Sequence, residues 1–363
     1  MDTRIFELSI ECSNRWCPRL KPRIFILCRP GGFALHYSTT PLLHYSLLLL
    51  NGTNVRTIVL GTRTSRLALA QAEIVKRALE SLSEELEVRI EGIRTTGDQR
   101  LDINISKSGS KLGKGLFTKE LEDALLCRRI DIAVHSLKDL PTELLPELEL
   151  TATLPRHDPV DLLISKSAKA LDELPAHAFV ATSSPRRIRQ LLMFRPDLKI
   201  ADIRGNVPTR IKKLLKEDSW NSLVLAKAGL ERLGYRWKEG RLEFDGHRLF
   251  VSDLVEVLPA AGQGAIGLET RADDRELKEI LLHINDETTW FCTSVEREFL
   301  RLLGGGCNLP LGIRASLNGS ELHCKAIIFD EQGKALSGTI SQTFDEPAAA
   351  AAALLKRIYE ERK

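Results

Sequence analysis

From Val55 onward the apolar and polar positions follow two regular patterns. Val55-Arg56-Thr57-Ile58-Val59-Leu60-Gly61 reads as a buried strand running into a turn, and Thr64-Ser65 can cap the helix that follows. In that helix Leu67, Ala70, Ile74, Val75, Ala78, Leu79 and Leu82 recur at helical spacing. Val88 to Glu91 is a strand, Leu116 to Leu126 a helix, and Ile132-Ala133-Val134 a short buried strand. Strands alternating with helices predict an open α/β domain with a mostly parallel sheet. Ligands of such sheets bind where strands end and helices begin.

Around Leu154-Pro155 the pattern restarts. Strands at Phe179 to Thr182, Leu198 to Ile203 and Leu223 to Leu225 alternate with helices at Pro185 to Leu192, Pro208 to Leu215 and Ala228 to Leu233. Leu258 to Leu268 reads as a return crossing, and two domains joined by a double crossing form a hinged cleft. After Asp273 come two amphipathic helices, a glycine-rich turn, three strands and an alanine-rich helix from Pro347. The expected division is 55–154 with 256–272, then 155–255, then a smaller α+β domain over 273–363.

Residues 1–54 lack either period and are expected to be a poorly ordered extension, with an upstream, non-natural start as one explanation. Asp2, Glu7 and Glu11 weigh against a transit peptide, and no ordered basic and apolar parts mark a secretory signal. The remaining composition is globular, 43% hydrophobic and 28% charged over 363 residues. No apolar run approaches the roughly 20 residues of a membrane span. Lys+Arg at 52 against Asp+Glu at 49 leaves a net charge of only +3, which argues against a nucleic-acid coat and directs attention to local clusters. The 7 cysteines show no zinc or disulfide spacing, so no metal site and a reducing compartment are expected.

The local clusters are basic and fall where strands give way to helices. Arg63 follows the first strand with Ser65 beside it; Arg186 and Arg187 follow Thr182-Ser183-Ser184; Arg204 precedes Gly205-Asn206. Arg210 opens the next helix and Arg232 closes Ala228 to Arg232. Arginine forks beside free helix-terminal N–H groups make carboxylate or phosphate sites. Any one of them is an ordinary surface cation; together they imply a ligand with several negative charges spread over some length. Lys138 and Asp139, in His135-Ser136-Leu137-Lys138-Asp139-Leu140-Pro141, sit at the end of a buried strand. Lys138 can hold an acidic substituent while Asp139 handles protons or a developing cation; the bland alternative is a solvated turn. His135 reads as a satisfied structural histidine.

Two further motifs complete the picture. Cys307, in Gly304-Gly305-Gly306-Cys307-Asn308-Leu309-Pro310-Leu311-Gly312, is a thiol on an open turn that a bulky group can approach, or an incidental turn cysteine. Cys127, Cys292 and Cys324 read as small buried hydrophobes. Ser106 to Gly115 is a basic, glycine-rich loop whose spacing fails the P-loop pattern and suits a mobile lid or a solvated linker.

These residues resemble the porphobilinogen deaminase (hydroxymethylbilane synthase) family from about Val55 to the C-terminus. The resemblance rests on Gly61-Thr62-Arg63-Thr64-Ser65, Gly113 to Phe117, Val134 to Pro141, Thr182-Ser183-Ser184-Pro185-Arg186-Arg187, Arg204-Gly205-Asn206-Val207, Gly262-Gln263-Gly264 and Gly305-Gly306-Cys307. It implies two hinged, periplasmic-binding-protein-like α/β domains, plus the smaller α+β domain carrying the cofactor cysteine. It implies a transferase of porphyrin, tetrapyrrole and heme biosynthesis. Four porphobilinogen molecules would condense head to tail on a dipyrromethane held by Cys307 through a thioether. Each addition would expel ammonia, and water would release linear hydroxymethylbilane. Asp139 would stabilise the electron-deficient methylene-pyrrole and assist proton transfer. Arg63, Ser65, Lys138, Thr182, Ser183, Ser184, Arg186, Arg187, Arg204, Gly205, Asn206, Arg210 and Arg232 would bind cofactor and substrate carboxylates. The expected setting is a monomer in the cytoplasm, with neither nucleic acid nor membrane as partner, or a plastid if residues 1–54 are a transit segment. A solute-binding protein and a ligand-sensing regulatory module are the alternatives from other classes. Neither needs Cys307 or an Asp139 beside Lys138, and a covalently attached dipyrrole would discriminate.

Overall fold

The computed structural model describes residues 5–9, 23–27, 56–99, 118–304, 309–330 and 332–360. The chain divides into two compact units, Met1–Asn54 and Val55–Lys363. In the first, β1 (Ile5–Ser9) pairs antiparallel with β2 (Arg23–Leu27), a pairing that the irregular pattern of this segment did not lead us to expect. The other residues of 1–54 lie outside the described residues, and the expectation of poor order falls mostly on them.

In the second unit, β3 (Arg56–Arg63) buries Ile58 and Leu60, and α1 (Arg66–Glu80) buries Ala68, Gln71, Ala72, Val75 and Leu79 on one stripe. Ser65 caps α1 as expected, its Oγ accepting from the Ala68 N–H at 3.3 Å. β4 (Leu86–Ile93), α2 (Lys119–Leu126), β5 (Ile132–Ser136) and β6 (Leu148–Thr153) follow. The chain then leaves this sheet and forms β7 (Asp161–Ser165), β8 (Phe179–Ala181), α3 (Pro185–Phe194), β9 (Lys199–Ala201), α4 (Val207–Lys216), β10 (Trp220–Ala226) and α5 (Lys227–Arg232). A meander of β11 (Trp237–Lys238), β12 (Arg241–Phe244) and β13 (His247–Leu254) leads to β14 (Ile266–Arg271), which returns to the first sheet. Strand orders are β4-β3-β5-β14-β6 and β11-β12-β13-β7-β10-β8-β9.

Both sheets are mixed, which corrects the expectation of mostly parallel pairing. β3 runs parallel to β4 and β5, but β14 runs antiparallel to β5 and β6 because it re-enters from the opposite side. In the second sheet β8 is parallel to β9 and β10, while β7 and the β11–β13 meander pair antiparallel. The double crossing runs through 154–160 and 255–265. At Gly264 (φ 87°) the two passages approach so closely that a Cβ would collide with the His157 carbonyl.

After β14 come α6 (Arg275–Leu282) and α7 (Glu287–Leu302), then an antiparallel sheet of β15 (Gly312–Asn318), β16 (Glu321–Phe329) and β17 (Ala335–Gln342), and α8 (Pro347–Glu360). Phe299 of α7 and Ala350, Ala351, Leu354 and Ile358 of α8 fill the core over this sheet. Alanines let α8 sit close. The Glu296 carboxylate of α7 is fully buried and accepts from Arg156 at 2.8 and 3.0 Å, from the Gly262 N–H at 2.8 Å and from the Ala315 N–H at 2.8 Å. One carboxylate thereby joins both crossings to β15. The expected fold class, α/β with a smaller α+β part of three strands and helices, is what these elements form.

Candidate active site

A cleft of about 580 Å³ opens where β3 and β5 end and where α1, α4 and α5 begin. Among the described residues its lining carries seven cations, Arg63, Arg66, Lys138, Arg187, Arg204, Arg210 and Arg232, against one acid, Asp139. That imbalance is local, since the whole chain is nearly neutral.

Lys138 and Asp139 follow β5 in a single helical turn. Asp139 is exposed and Lys138 half-buried. Burial pulls the Lys138 ammonium down to about 8; Asp139 and Asp161 counter this, while Arg187 and Arg186 add to it. The Lys138 Nζ donates to Gln263 Oε1 at 3.5 Å.

On the facing sheet, Arg186 and Arg187 start α3 and turn inward. Arg186 meets Asp161 at 2.8 Å and the Leu258 carbonyl at 2.6 Å. Arg187 grips both oxygens of Asp161, at 3.1 and 2.7 Å, and the Val224 carbonyl at 2.9 Å. Asp161 is fully buried. Burial alone would raise its pKa, but the two guanidiniums outweigh it and hold the carboxyl well below the ordinary range.

Arg210 and Arg232 are placed differently. Arg210 Nε donates to the Gly205 carbonyl at 2.6 Å, and Arg232 donates to the Gly264 carbonyl at 2.6 Å. Burial lowers each to about 10; nearby Arg187 adds to this for Arg210. The Arg232 Nε is buried and, among the described residues, has no hydrogen-bond partner. Arg204 reaches Asp202 at 3.5 Å, and Asn206 caps α4, its Oδ1 accepting from the Thr209 N–H at 2.9 Å. Gly205 takes φ 115°, and a Cβ there would sit 2.9 Å from the Thr209 methyl.

Of the residues singled out from sequence, Arg63, Ser65, Lys138, Asp139, Arg187, Arg204, Gly205, Asn206, Arg210 and Arg232 line the cleft. Thr182, Ser183, Ser184 and Arg186 are not among the residues that line it; the Ser183 Oγ, for example, donates to the Ile203 carbonyl at 2.6 Å. Cys307 and the basic loop Ser106 to Gly115 lie outside the described residues. His135 is a satisfied buried histidine, 2.9 Å from Glu269. Cys292 and Cys324 are buried as expected, and burial pushes their thiols upward, Cys292 to about 11. Cys127 is exposed instead, because the helix carrying it ends at Leu126 and the residue caps it at the surface.

Sequence reading missed Arg66, Gln71 and Asp161, and gave Gln263 only within the Gly262-Gln263-Gly264 motif, without a role. Gln71 and Asp161 had a signal: each is a polar residue within an apolar stripe or run, where burial requires a polar partner. Gln71 Nε2 donates to Ser136 Oγ at 2.9 Å.

The chain matches two family models, porphobilinogen deaminase, dipyromethane cofactor binding domain, over residues 58–279, and porphobilinogen deaminase, C-terminal domain, over residues 290–361. It is 46% identical to the porphobilinogen deaminase of Syntrophomonas wolfei over 283 residues, covering 77% of this chain and 87% of that protein. It is 41% identical to the porphobilinogen deaminase of Roseiflexus sp. over 309 residues, covering 84% of this chain and 97% of the relative. Among solved structures, an ancestral cationic amino acid solute-binding protein aligns with 63% of this chain and 88% of its own, at 15% identity and a TM-score of 0.36.

Proposed function

The chain belongs to the porphobilinogen deaminase family, and from that premise we propose which of its residues bind and which react. As a member it is a transferase of porphyrin biosynthesis that acts on porphobilinogen and has the family's dipyrromethane cofactor-binding domain. The observation that carries the assignment of roles is the cleft's seven cations to one acid. A dipyrromethane and a growing pyrrole chain carry acetate and propionate groups, so a long polyanion suits this lining. The buried Nε of Arg232, unpartnered among the described residues, is a donor that such a carboxylate would satisfy.

When bound, the dipyrromethane supplies the free pyrrole end to which each porphobilinogen adds. Lys138, Arg63, Arg204, Arg210 and Arg232 hold carboxylates, and Ser65, Gly205 and Asn206 shape the helix ends beside them. Arg187 adds charge at the wall of the cleft, whereas Thr182, Ser183, Ser184 and Arg186 are not among the residues that line it. Asp139, the single acid among these cations, opposes the positive charge that develops on the substrate as ammonia leaves, and takes up the proton released when the new bond forms. Cys307 is the thioether anchor. The high thiol pKa values of Cys292 and Cys324 argue against either as the nucleophile. The same proposal makes the protein a cytoplasmic monomer without a nucleic-acid partner, in keeping with cations concentrated in one cleft of a nearly neutral chain.

Intact mass tests the reading. Purified protein should exceed its chain mass by one covalently attached dipyrrole, and Cys307→Ser should remove the added mass and the activity while leaving a folded chain. A Cys307→Ser protein that keeps the chromophore and turns over would move the anchor elsewhere.

A further inference from the structure

We propose that Gln263 is a positioning residue for the reaction, tying the cleft cation Lys138 of the first sheet to the Asp161–arginine cluster of the second. The proposal rests on the reading of Lys138 as a carboxylate-binding group and of Arg187 as charge at the wall of the cleft. Gln263 lies on the return crossing and is 1% exposed. Its neighbours Gly262 and Gly264 both take positive φ, 70° and 87°. Its backbone is held as well: the N–H donates to the Ala260 carbonyl at 3.0 Å and the carbonyl accepts from Arg156 Nε at 2.8 Å.

The amide orientation is fixed by chemistry. Nε2 donates to the Pro159 carbonyl at 2.5 Å and to Asp161 Oδ1 at 2.9 Å, both pure acceptors. Oε1 faces the Lys138 ammonium, which can only donate. A flipped amide would set acceptor against acceptor and donor against donor. One side chain thus supports an ammonium on one sheet and, through Asp161, aligns Arg186 and Arg187 on the other.

A neutral acceptor suits this place. Among the described residues, the charged groups that act most on the Lys138 ammonium are Asp139 and Asp161, which favour it, and Arg187 and Arg186, which oppose it. An amide oxygen favours the ammonium without cancelling the charge that a substrate carboxylate would use. A carboxylate there would favour it more and compete for it.

Two substitutions therefore move one titration in opposite directions. In holoenzyme, the pH profile of kcat/KM for porphobilinogen should have a basic limb set by Lys138, falling as the ammonium deprotonates. Gln263→Leu removes an acceptor and should move that limb to lower pH by about half a unit. Gln263→Glu should move it to higher pH by a similar amount, at a cost in stability because one carboxylate oxygen then faces the Pro159 carbonyl and Asp161. In both, KM should rise several-fold while kcat changes less. Lys138→Met serves as the control, and its residual activity should lack the limb. Should one of the two variants fail to fold, the other decides, by a downward shift in Gln263→Leu or an upward shift in Gln263→Glu. Limbs that stay put or move the same way, with the limb lost in Lys138→Met, would overturn the role of Gln263 alone. A limb that persists in Lys138→Met would overturn the reading of Lys138 and the proposal with it.

Discussion

Two pairs of arginines in this molecule have the same chemistry and opposite surroundings. Arg186 and Arg187 are 5% and 6% exposed and share a fully buried carboxylate, Asp161. Arg210 and Arg232 donate to backbone carbonyls, and among the described residues neither is bonded to a carboxylate. The first pair has spent much of its charge inside the protein. The second keeps its full charge at the edge of a cleft, at a desolvation cost that lowers both to about 10. An arginine answered internally builds the wall; one left for an anion marks the binding surface.

The largest effect expected from this contrast is on stability. Arg186→Leu leaves Asp161 buried with one guanidinium fewer, and should cost about 3 kcal/mol in urea unfolding at neutral pH. The pH dependence carries the sign of a depressed carboxyl. Asp161's contribution is fully present above its unfolded value, near 4, and is lost only as pH falls through its lower folded value. The wild-type advantage over Arg186→Leu should accordingly hold between about pH 5 and 8 and shrink in strong acid. An Arg186→Leu protein as stable as wild type would remove the distinction between the two pairs.

Next in size is catalysis without stability. Asp139 is exposed, so Asp139→Asn should melt near the wild-type temperature while kcat falls about a hundredfold, the scale of losing one preorganised charge. Substrate binding should change far less. Near-normal turnover would return Asp139 to an ordinary solvated turn.

Much of this was legible in the chain. The periods of β3, α1 and β5, the Ser65 cap and the placing of cations at strand ends all follow from local pattern, because caps and amphipathic stripes are local physics. Strand direction was not legible. Whether β14 pairs parallel or antiparallel depends on the side from which the chain returns, which no local period encodes. β7 was missed because all five of its residues are buried, leaving no alternation to read. Asp161 was passed over together with β7, although a polar residue opening an apolar run is itself a signal, and without it Arg186 and Arg210 look alike. The sequence reading placed both on one carboxylate-binding surface; only the partner of each side chain separates wall from surface.

That separation has a direct test in the elongating enzyme. Arg210→Leu and Arg232→Leu should unfold within about 1 kcal/mol of wild type, since no ion pair among the described residues is broken. After brief exposure to porphobilinogen, intact mass spectra of these variants should show covalent complexes extended by one or more pyrrole units piling up at particular lengths, different for the two positions. Arg186→Leu, compared at a temperature where it is folded, should show the wild-type distribution. A uniform rise in KM with no trapped length in Arg210→Leu or Arg232→Leu, or the same trapped lengths in Arg186→Leu, would contradict the account.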